Sequence, residues 1–179
     1  MKKWILLILA ALLIIILSFL FWLGVFSPVT VKEVKTGPYV MVYQDYVGGY
    51  STTGPVFTKV FAALAKEGIS TTKGIGIYLD PPTVPAEKQR SQIGCILEGK
   101  DLKKLNQLSK LFKAKNIALR DSIVIEFPIR NTLSYMIGPM KAYPELSKVA
   151  SAQKLKVNLV MEVYDMQAMK TLYIMQYNK

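Results

Sequence analysis

From Trp4 to Phe26 the chain runs WILLILAALLIIILSFLFWLGVF, 23 residues without a charge. As an α-helix this stretch is roughly 34 Å long at about 1.5 Å per residue, enough to cross a bilayer core of about 30 Å with slight tilt. A cleavable leader has a shorter apolar core of about 7–15 residues and a small-x-small exit. This run instead ends in bulky Phe26 before Ser27 and Pro28. The expectation is an uncleaved signal-anchor and a single-pass membrane protein that contacts the lipid bilayer through residues 4–26. Lys2 and Lys3 precede the span and favour a cytoplasmic N-terminus with an extracytoplasmic domain. Lys32 and Lys35 lie beyond the other end and partly offset that bias. Trp4 and Trp22, the only two tryptophans, stand near the two ends of the run, where amphipathic rings favour the headgroup level.

The remainder has the length of one domain. The whole chain of 179 residues contains no histidine and a single cysteine, Cys95, so imidazole chemistry, an intrachain disulfide and zinc sites built from paired Cys or His are excluded. Neither a metal nor a cofactor is expected, and any chemistry falls to carboxylates, Tyr, Ser, Thr or Lys. With Lys2 and Lys3 set aside, 21 basic and 12 acidic residues leave a net +9 on the chain beyond the anchor. The lysines concentrate in Lys100–Lys115, KDLKKLNQLSKLFKAK, where Leu102, Leu105, Leu108, Leu111 and Phe112 recur at helical spacing and six lysines occupy the other positions. That pattern predicts a helix with a buried leucine stripe and a cationic face. The face is either simply solvated or a contact for anionic lipid through Lys103, Lys104 and Lys110. No reader motif accompanies the charges, so nucleic acid is not an expected partner.

The pattern after the anchor is α+β. Val29–Lys35 and Pro38–Val47 read as extended segments meeting at a Gly37-Pro38 turn. After a glycine-rich loop, Pro55 opens a helix with Phe57, Val60, Phe61 and Leu64 on one face, and Gly68 closes it. A strand at Gly74–Asp80, a loop through Pro81, Pro82 and Pro85, and a strand at Arg90–Leu97 follow. Beyond the lysine segment come a strand at Ser122–Pro128, a helical region at Thr132–Leu155 strained by Pro144, and strands at Val157–Asp165 and Lys170–Tyr177. Strand, helix, strand, strand thus occurs twice, and Ile75-Gly76-Ile77-Tyr78 echoes Met161-Glu162-Val163-Tyr164. We read this as an internal duplication. The expected layout is a basic N-terminus (1–3), the anchor (4–26), a linker with the first extended segment (27–36) and the domain (37–179). The domain divides into module one (37–98), the basic connecting helix (100–115) and module two (117–178).

By strand alternation Gly76 and Tyr78 share a face, as do Glu162 and Tyr164. If the modules pack about a pseudo-twofold, Glu162 projects near a groove flanked by tyrosines, opposite the gap at Gly76. A carboxylate between apolar walls acquires a raised pKa or a cationic partner; the plainer alternative is a glutamate paired with a lysine at the sheet margin. The clustered tyrosines are either sheet packing or the amphipathic wall of a pocket. Met136 and Met140 suit an adaptable lip, although core filling is the commoner use of such residues.

Tyr46-Val47-Gly48-Gly49-Tyr50, Tyr78-Leu79-Asp80-Pro81-Pro82-Thr83-Val84-Pro85-Ala86-Glu87-Lys88-Gln89-Arg90, Gly94-Cys95-Ile96-Leu97 and Met161-Glu162-Val163-Tyr164 together resemble the gyrase-inhibitor-like (GyrI-like) small-molecule-binding superfamily. The resemblance is nearest to its membrane-anchored branch, typified by the testis-expressed reticulophagy receptor, and covers most of the chain after Val29. It implies two strand-helix-strand-strand (SHS2-type) modules sharing one antiparallel sheet, with a ligand groove between two helices. It also implies that an acidic residue on the late strand of module two, here Glu162, engages cationic or polar ligands. The motif positions add Tyr164, Tyr78, Tyr50, Tyr135 and Gly76 as candidate ligand-binding residues. No helix-turn-helix precedes the domain and no long tail with an autophagy motif follows Lys179, so neither of those roles of relatives is implied. The expected function is binding of a small amphipathic or cationic molecule without turnover. Two alternatives stand beside it: a membrane-tethered protein-interaction module with a vestigial groove, and a hydrolase of strained or ester electrophiles. In the latter Glu162 would act as acid or base beside Tyr78 or Tyr164.

Overall fold

A computed structural model describes residues 2–81 and 83–178; Met1, Lys179 and Pro82 of the proline-rich loop lie outside the described residues. The apolar run forms α1 (Lys2–Trp22), a helix long and apolar enough to cross a membrane and with none of its residues buried. It ends four residues short of the uncharged run because Gly24 takes a left-handed conformation, φ +80. The Val25 N–H then reaches back to the Leu20 carbonyl at 3.2 Å and the Gly24 N–H to that of Phe21 at 3.0 Å, the Schellman pattern that satisfies terminal carbonyls.

The rest is an α+β domain built on one curled, eight-stranded antiparallel sheet. In chain order its strands are β1 (Lys32–Thr36), β2 (Tyr39–Val47), β3 (Lys73–Tyr78), β4 (Arg90–Leu97), β5 (Lys113–Ile117), β6 (Arg120–Pro128), β7 (Lys156–Asp165) and β8 (Lys170–Asn178). They lie side by side as β1-β6-β8-β7-β3-β4-β2-β5. The two segments flanking Gly37-Pro38 do not pair with each other as a turn would suggest: β1 pairs with β6, while β2 pairs with β4 and β5. Two-residue links, Gly37-Pro38 and Ala118-Leu119, therefore join strands from opposite halves of the sheet order, and they bring its two edges together. Gln176 staples this junction, its Nε2 donating to the Thr36 carbonyl at 3.1 Å and the Ala118 carbonyl at 3.2 Å. Gly37, at φ +93, is required there, since a Cβ would lie 2.8 Å from the Ala118 oxygen.

Met41, Ile75, Ile77, Ile96, Met161 and Ile174 fill the inside of the curl with strand side chains alone. The outer face carries the helices. Val60 and Leu64 of α2 (Gly54–Lys66) and Leu108 of α3 (Leu105–Leu108) pack on Val42, Cys95 and Leu97. Ala142 and Leu146 of α4 (Ser134–Ala152) pack on Ile123, Ile125 and Tyr173. Its sheet-facing row of Ser134, Gly138, Ala142 and Leu146 begins with small residues, which lets the backbone come close. Pro139 and Pro144 are accommodated within it.

The lysine-rich segment is not the single helix expected over 100–115. Gly99–Lys104 is 3-10, α3 lasts one turn, and Lys113–Ile117 is drawn into β5 by pairing with β2. Helical periodicity is local, whereas the open hydrogen-bonding edge of β2 is supplied by tertiary structure. As a result only Leu108 and Phe112 of the stripe are buried, Leu102 and Leu111 are exposed, and Lys113 binds Asp45 at 2.5 Å. Lys104 is turned to structural use, its Nζ donating to the Glu67 carbonyl at 2.7 Å where α2 ends, as suits a cation at a helix C-terminus.

Candidate functional site

Between α2 and α4 the outer face of the sheet is made by its two central strands. Their register sets Gly76 opposite Glu162 and Gly74 opposite Tyr164, so all four residues lie on the groove side, as alternation predicted. The two glycines make a floor without side chains, over which rings pack. Phe57 of α2 covers Gly74, where a Cβ would meet its ring at 3.2 Å, and Tyr78 folds back over Gly76, its hydroxyl 3.1 Å from the corresponding point. The gap opposite the carboxylate is thus the space that Tyr78 occupies.

Glu162 is only 5% exposed. Its Oε1 accepts a hydrogen bond from the Tyr143 hydroxyl at 2.7 Å, and its Oε2 accepts one from the Tyr164 hydroxyl. The Tyr78 hydroxyl lies 3.4 Å from Oε2 and 3.0 Å from the Tyr164 oxygen, so its single proton serves either acceptor. No lysine or arginine forms an ion pair with Glu162 among the described residues. Burial raises the Glu162 pKa above the ordinary carboxylate value, and the hydrogen bonds from Tyr164, Tyr143 and Tyr78 oppose this without cancelling it. The same burial, reinforced by the carboxylate charge, pushes the phenols of Tyr164, Tyr78 and Tyr143 well above theirs. The cage therefore donates hydrogen bonds to the carboxylate, and its phenols resist ionisation.

Aromatic contacts tie the cage together. The Tyr164 ring meets Phe57 edge-on at 5.1 Å and Tyr135 at 5.8 Å, separations typical of favourable aromatic pairs. Tyr135 is 39% exposed and closes the α4 side of the groove. Tyr50 does not reach Glu162. It meets Tyr78 edge-on at 4.7 Å, and its hydroxyl donates to the Asp80 carbonyl at 2.8 Å while accepting from the Asp80 N–H at 3.0 Å, so it supports Tyr78 from behind. Beside Glu162 in the sheet, the Tyr173 hydroxyl is buried against Gly138 and meets no hydrogen-bond partner among the described residues. A shallow depression of about 330 Å³ lies away from the groove, beside Lys35, Arg120 and Tyr177. Met136 and Met140 are exposed on α4 and fill no core.

No family model matches the chain. Over 131 residues it is 28% identical to testis-expressed protein 264 homolog of Mus musculus, an alignment that covers 69% of this chain and 41% of that protein. Among solved structures, the EcmrR C-terminal domain superposes with a TM-score of 0.57 at 13% identity, covering 85% of this chain and 98% of that one. An uncharacterized conserved protein from Listeria innocua gives 0.54 at 8% identity, covering 83% and 92%. The protein SAV2435, solved bound to tetraphenylphosphonium, gives 0.53 at 10% identity, covering 83% and 94%. What the chain shares with these three is the fold.

Of the six candidate residues, Glu162, Tyr164, Tyr78 and Gly76 meet at one point, while Tyr135 and Tyr50 stand one ring further out. Tyr143 and Phe57 belong to the cage and were not among the candidates. Tyr143 had a signal in the sequence: it follows Tyr135 by eight residues, slightly more than two helical turns, and so faces the same side of α4.

Proposed function

We propose that the domain binds a small amphipathic cation between α2 and α4, with Glu162 supplying the charge and the surrounding rings the apolar walls, and that it does so without turnover. The observation that carries this reading is a buried carboxylate whose hydrogen-bond partners, among the described residues, are all phenols. Burying an ionisable group costs free energy unless a partner charge offsets the lost hydration, and here a cationic ligand is the partner that would do so. Delocalised cations are favoured because aromatic faces attract positive charge at little desolvation cost. The shared fold with a protein solved with tetraphenylphosphonium supports the same class of ligand. Entry requires the rings over the carboxylate to part, and Tyr78, on the longest of the three contacts to Glu162, is the one to move.

We further infer that the domain belongs to the membrane-anchored branch of the GyrI-like proteins and arose by duplication of an SHS2-type module. The support is the repeated order β2-α2-β3-β4 and β6-α4-β7-β8, with β3 and β7 paired at the centre. In this reading α1 spans the membrane with its N-terminus in the cytoplasm and the domain outside. The test uses two probes of one shape and opposite charge, tetraphenylphosphonium and tetraphenylborate, in thermal unfolding of the full chain in detergent. The cation should raise the Tm in proportion to the logarithm of its concentration, as selective binding to the folded state requires, and the anion should not. Equal shifts, or none, would refute a charge-selecting groove.

A further inference from the structure

We infer that the exposed methionine-rich end of the domain, formed by Leu133 at the N-cap of α4, Met136 and Met140 within it, and Met166 and Met169 of the β7–β8 turn, seats in the interface of the same bilayer that α1 crosses. This rests on the reading of α1 as a membrane span.

The place of the anchor's exit carries the inference. α1 has 21 residues, about 31 Å of helix at about 1.5 Å per residue, close to the thickness of a hydrocarbon core. The segment just past Trp22 is then at headgroup level. That segment is packed onto the domain: Leu23 and Gly24 are buried, and a Cβ on Gly24 would meet Phe127 at 3.8 Å and Arg130 at 3.6 Å. Lys141 of α4 fastens it, donating from Nζ to the carbonyls of Val25 and Ser27, each at 2.5 Å. The domain is held against the bilayer by α4 and the end of β6, with no free tether between.

Beside that contact these elements expose an apolar stripe. On α4, Ser134, Gly138 and Ala142 face the sheet and Lys141 holds the exit, while Tyr135 and Tyr143 line the groove. The outward stripe between these last two sides is Leu133, Met136 and Met140, at i, i+3 and i+7, with Met136 58% and Met140 71% exposed. The β7–β8 turn lies at the same end of the sheet, since Pro128 pairs with Lys170 and Lys170 with Asp165. The turn joins the same surface: the Ile129 N–H donates to the Met169 carbonyl at 2.8 Å, and the Tyr135 hydroxyl lies 3.6 Å from the Met166 sulfur. Met166 and Met169 are themselves exposed. Four methionines gathered on one solvent-facing end are an adaptable apolar surface, and the bilayer beside the exit is the partner that continuity with the anchor supplies. Arg130, exposed at the same edge, suits an anionic headgroup layer.

The test places single cysteines, one at a time, at Met140→Cys and Met169→Cys, with Val47→Cys at the far end of β2 and Leu79→Cys just past the far end of β3 as exposed controls. Each carries a bimane fluorophore, while buried Cys95 stays unlabelled. The full chain is reconstituted in phosphatidylcholine–phosphatidylglycerol vesicles whose acyl chains carry bromine. The expected result is blue-shifted emission and loss of intensity by bromine quenching at positions 140 and 169, with aqueous, unquenched emission at 47 and 79. If the chain stays with the vesicles through a carbonate wash but all four probes behave alike, the seat is refuted and the anchor stands. If the carbonate wash strips the chain from the vesicles, the anchor reading fails and the seat falls with it.

Discussion

Glu162→Gln isolates the charge at the centre of the groove while nearly preserving its volume. In the free protein Glu162 is already 5% exposed, so the cost of stripping water from the carboxylate is met on folding and binding a cation adds little to it. Tyr143 and Tyr164 donate from their own sides and stay in place when Tyr78 moves aside for the cation. With roughly 5 Å between the carboxylate and the centre of tetraphenylphosphonium, and an effective dielectric constant of about 20, the attraction is about 3 kcal/mol. Allowing for desolvation of the ligand, the substitution should cost about 2–3 kcal/mol of binding, a Kd weaker by roughly 30- to 150-fold. Isothermal titration calorimetry of the full chain in detergent measures this directly. Binding needs the ionised carboxylate, whose pKa burial has raised, so wild-type affinity should start to fall above the ordinary value of 4.5 as pH is lowered, while the Gln variant should give a flat profile. A Gln variant that binds within about threefold of wild type, or a wild-type affinity indifferent to pH, would refute the assignment of Glu162 as the ligand's counter-charge.

The same proton has a stability signature without ligand. Because the folded pKa of Glu162 lies above that of the unfolded chain, the folded state holds the proton more tightly, and stability falls as pH rises from 4.5 through the raised value. Wild type should therefore lose Tm relative to Glu162→Gln between acid and neutral pH, and a gap independent of pH would contradict this. Gly138→Ala should destabilise by about 1–3 kcal/mol through overpacking, since its methyl would lie 2.1 Å from the Tyr173 oxygen. Adding Tyr173→Phe should recover part of that loss in urea titrations, and alone it should cost little, because the hydroxyl it removes has no hydrogen-bond partner among the described residues. Cys95 is buried and its thiol pKa is pushed up by burial, so a thiol reagent should modify it only at the rate of unfolding, which stopped-flow mixing against urea would show.

The parts of the fold legible in the sequence were those written in local periodicity. All the strands beyond the first glycine-rich loop except β5, and helices α2 and α4, fall within a few residues of expectation, since alternation and the i, i+3, i+4 spacing are properties of short segments. β5 was hidden because Lys113–Ile117 satisfies a helical leucine pattern while its partner, β2, lies some seventy residues earlier. The exchange of β1 and β5 between the two halves was invisible for the same reason: nothing within Val29–Val47 says that its two strands pair with different neighbours. In the site, Glu162, Tyr164 and Tyr78 were legible because the period of two places them on one face whatever their neighbours do. Tyr143 was harder, because its part depends on how α4 is rotated over the sheet, which small residues at Gly138 and Ala142 decide.

Gly76 shows how the two halves of the site depend on each other. Read along the strand, it is an absence opposite a carboxylate, and absence suggests room for a ligand. In the folded chain a Cβ at position 76 would lie 3.1 Å from the Tyr78 hydroxyl and crowd it by a few tenths of an ångström where it lies between Tyr164 and Glu162. The glycine thus lets a neutral donor cover the carboxylate when no cation is present, a role that a neighbouring lysine would fill permanently, at the expense of any ligand. A covering phenol costs less to displace, because its hydrogen bond to the carboxylate at 3.4 Å is long for a charge-assisted contact and its ring meets Tyr50 at the rear by an edge contact. In the proposed reading, the pairing of a bare glycine on one strand with a buried glutamate on the other is what lets the groove close over its own charge and still open to a cation.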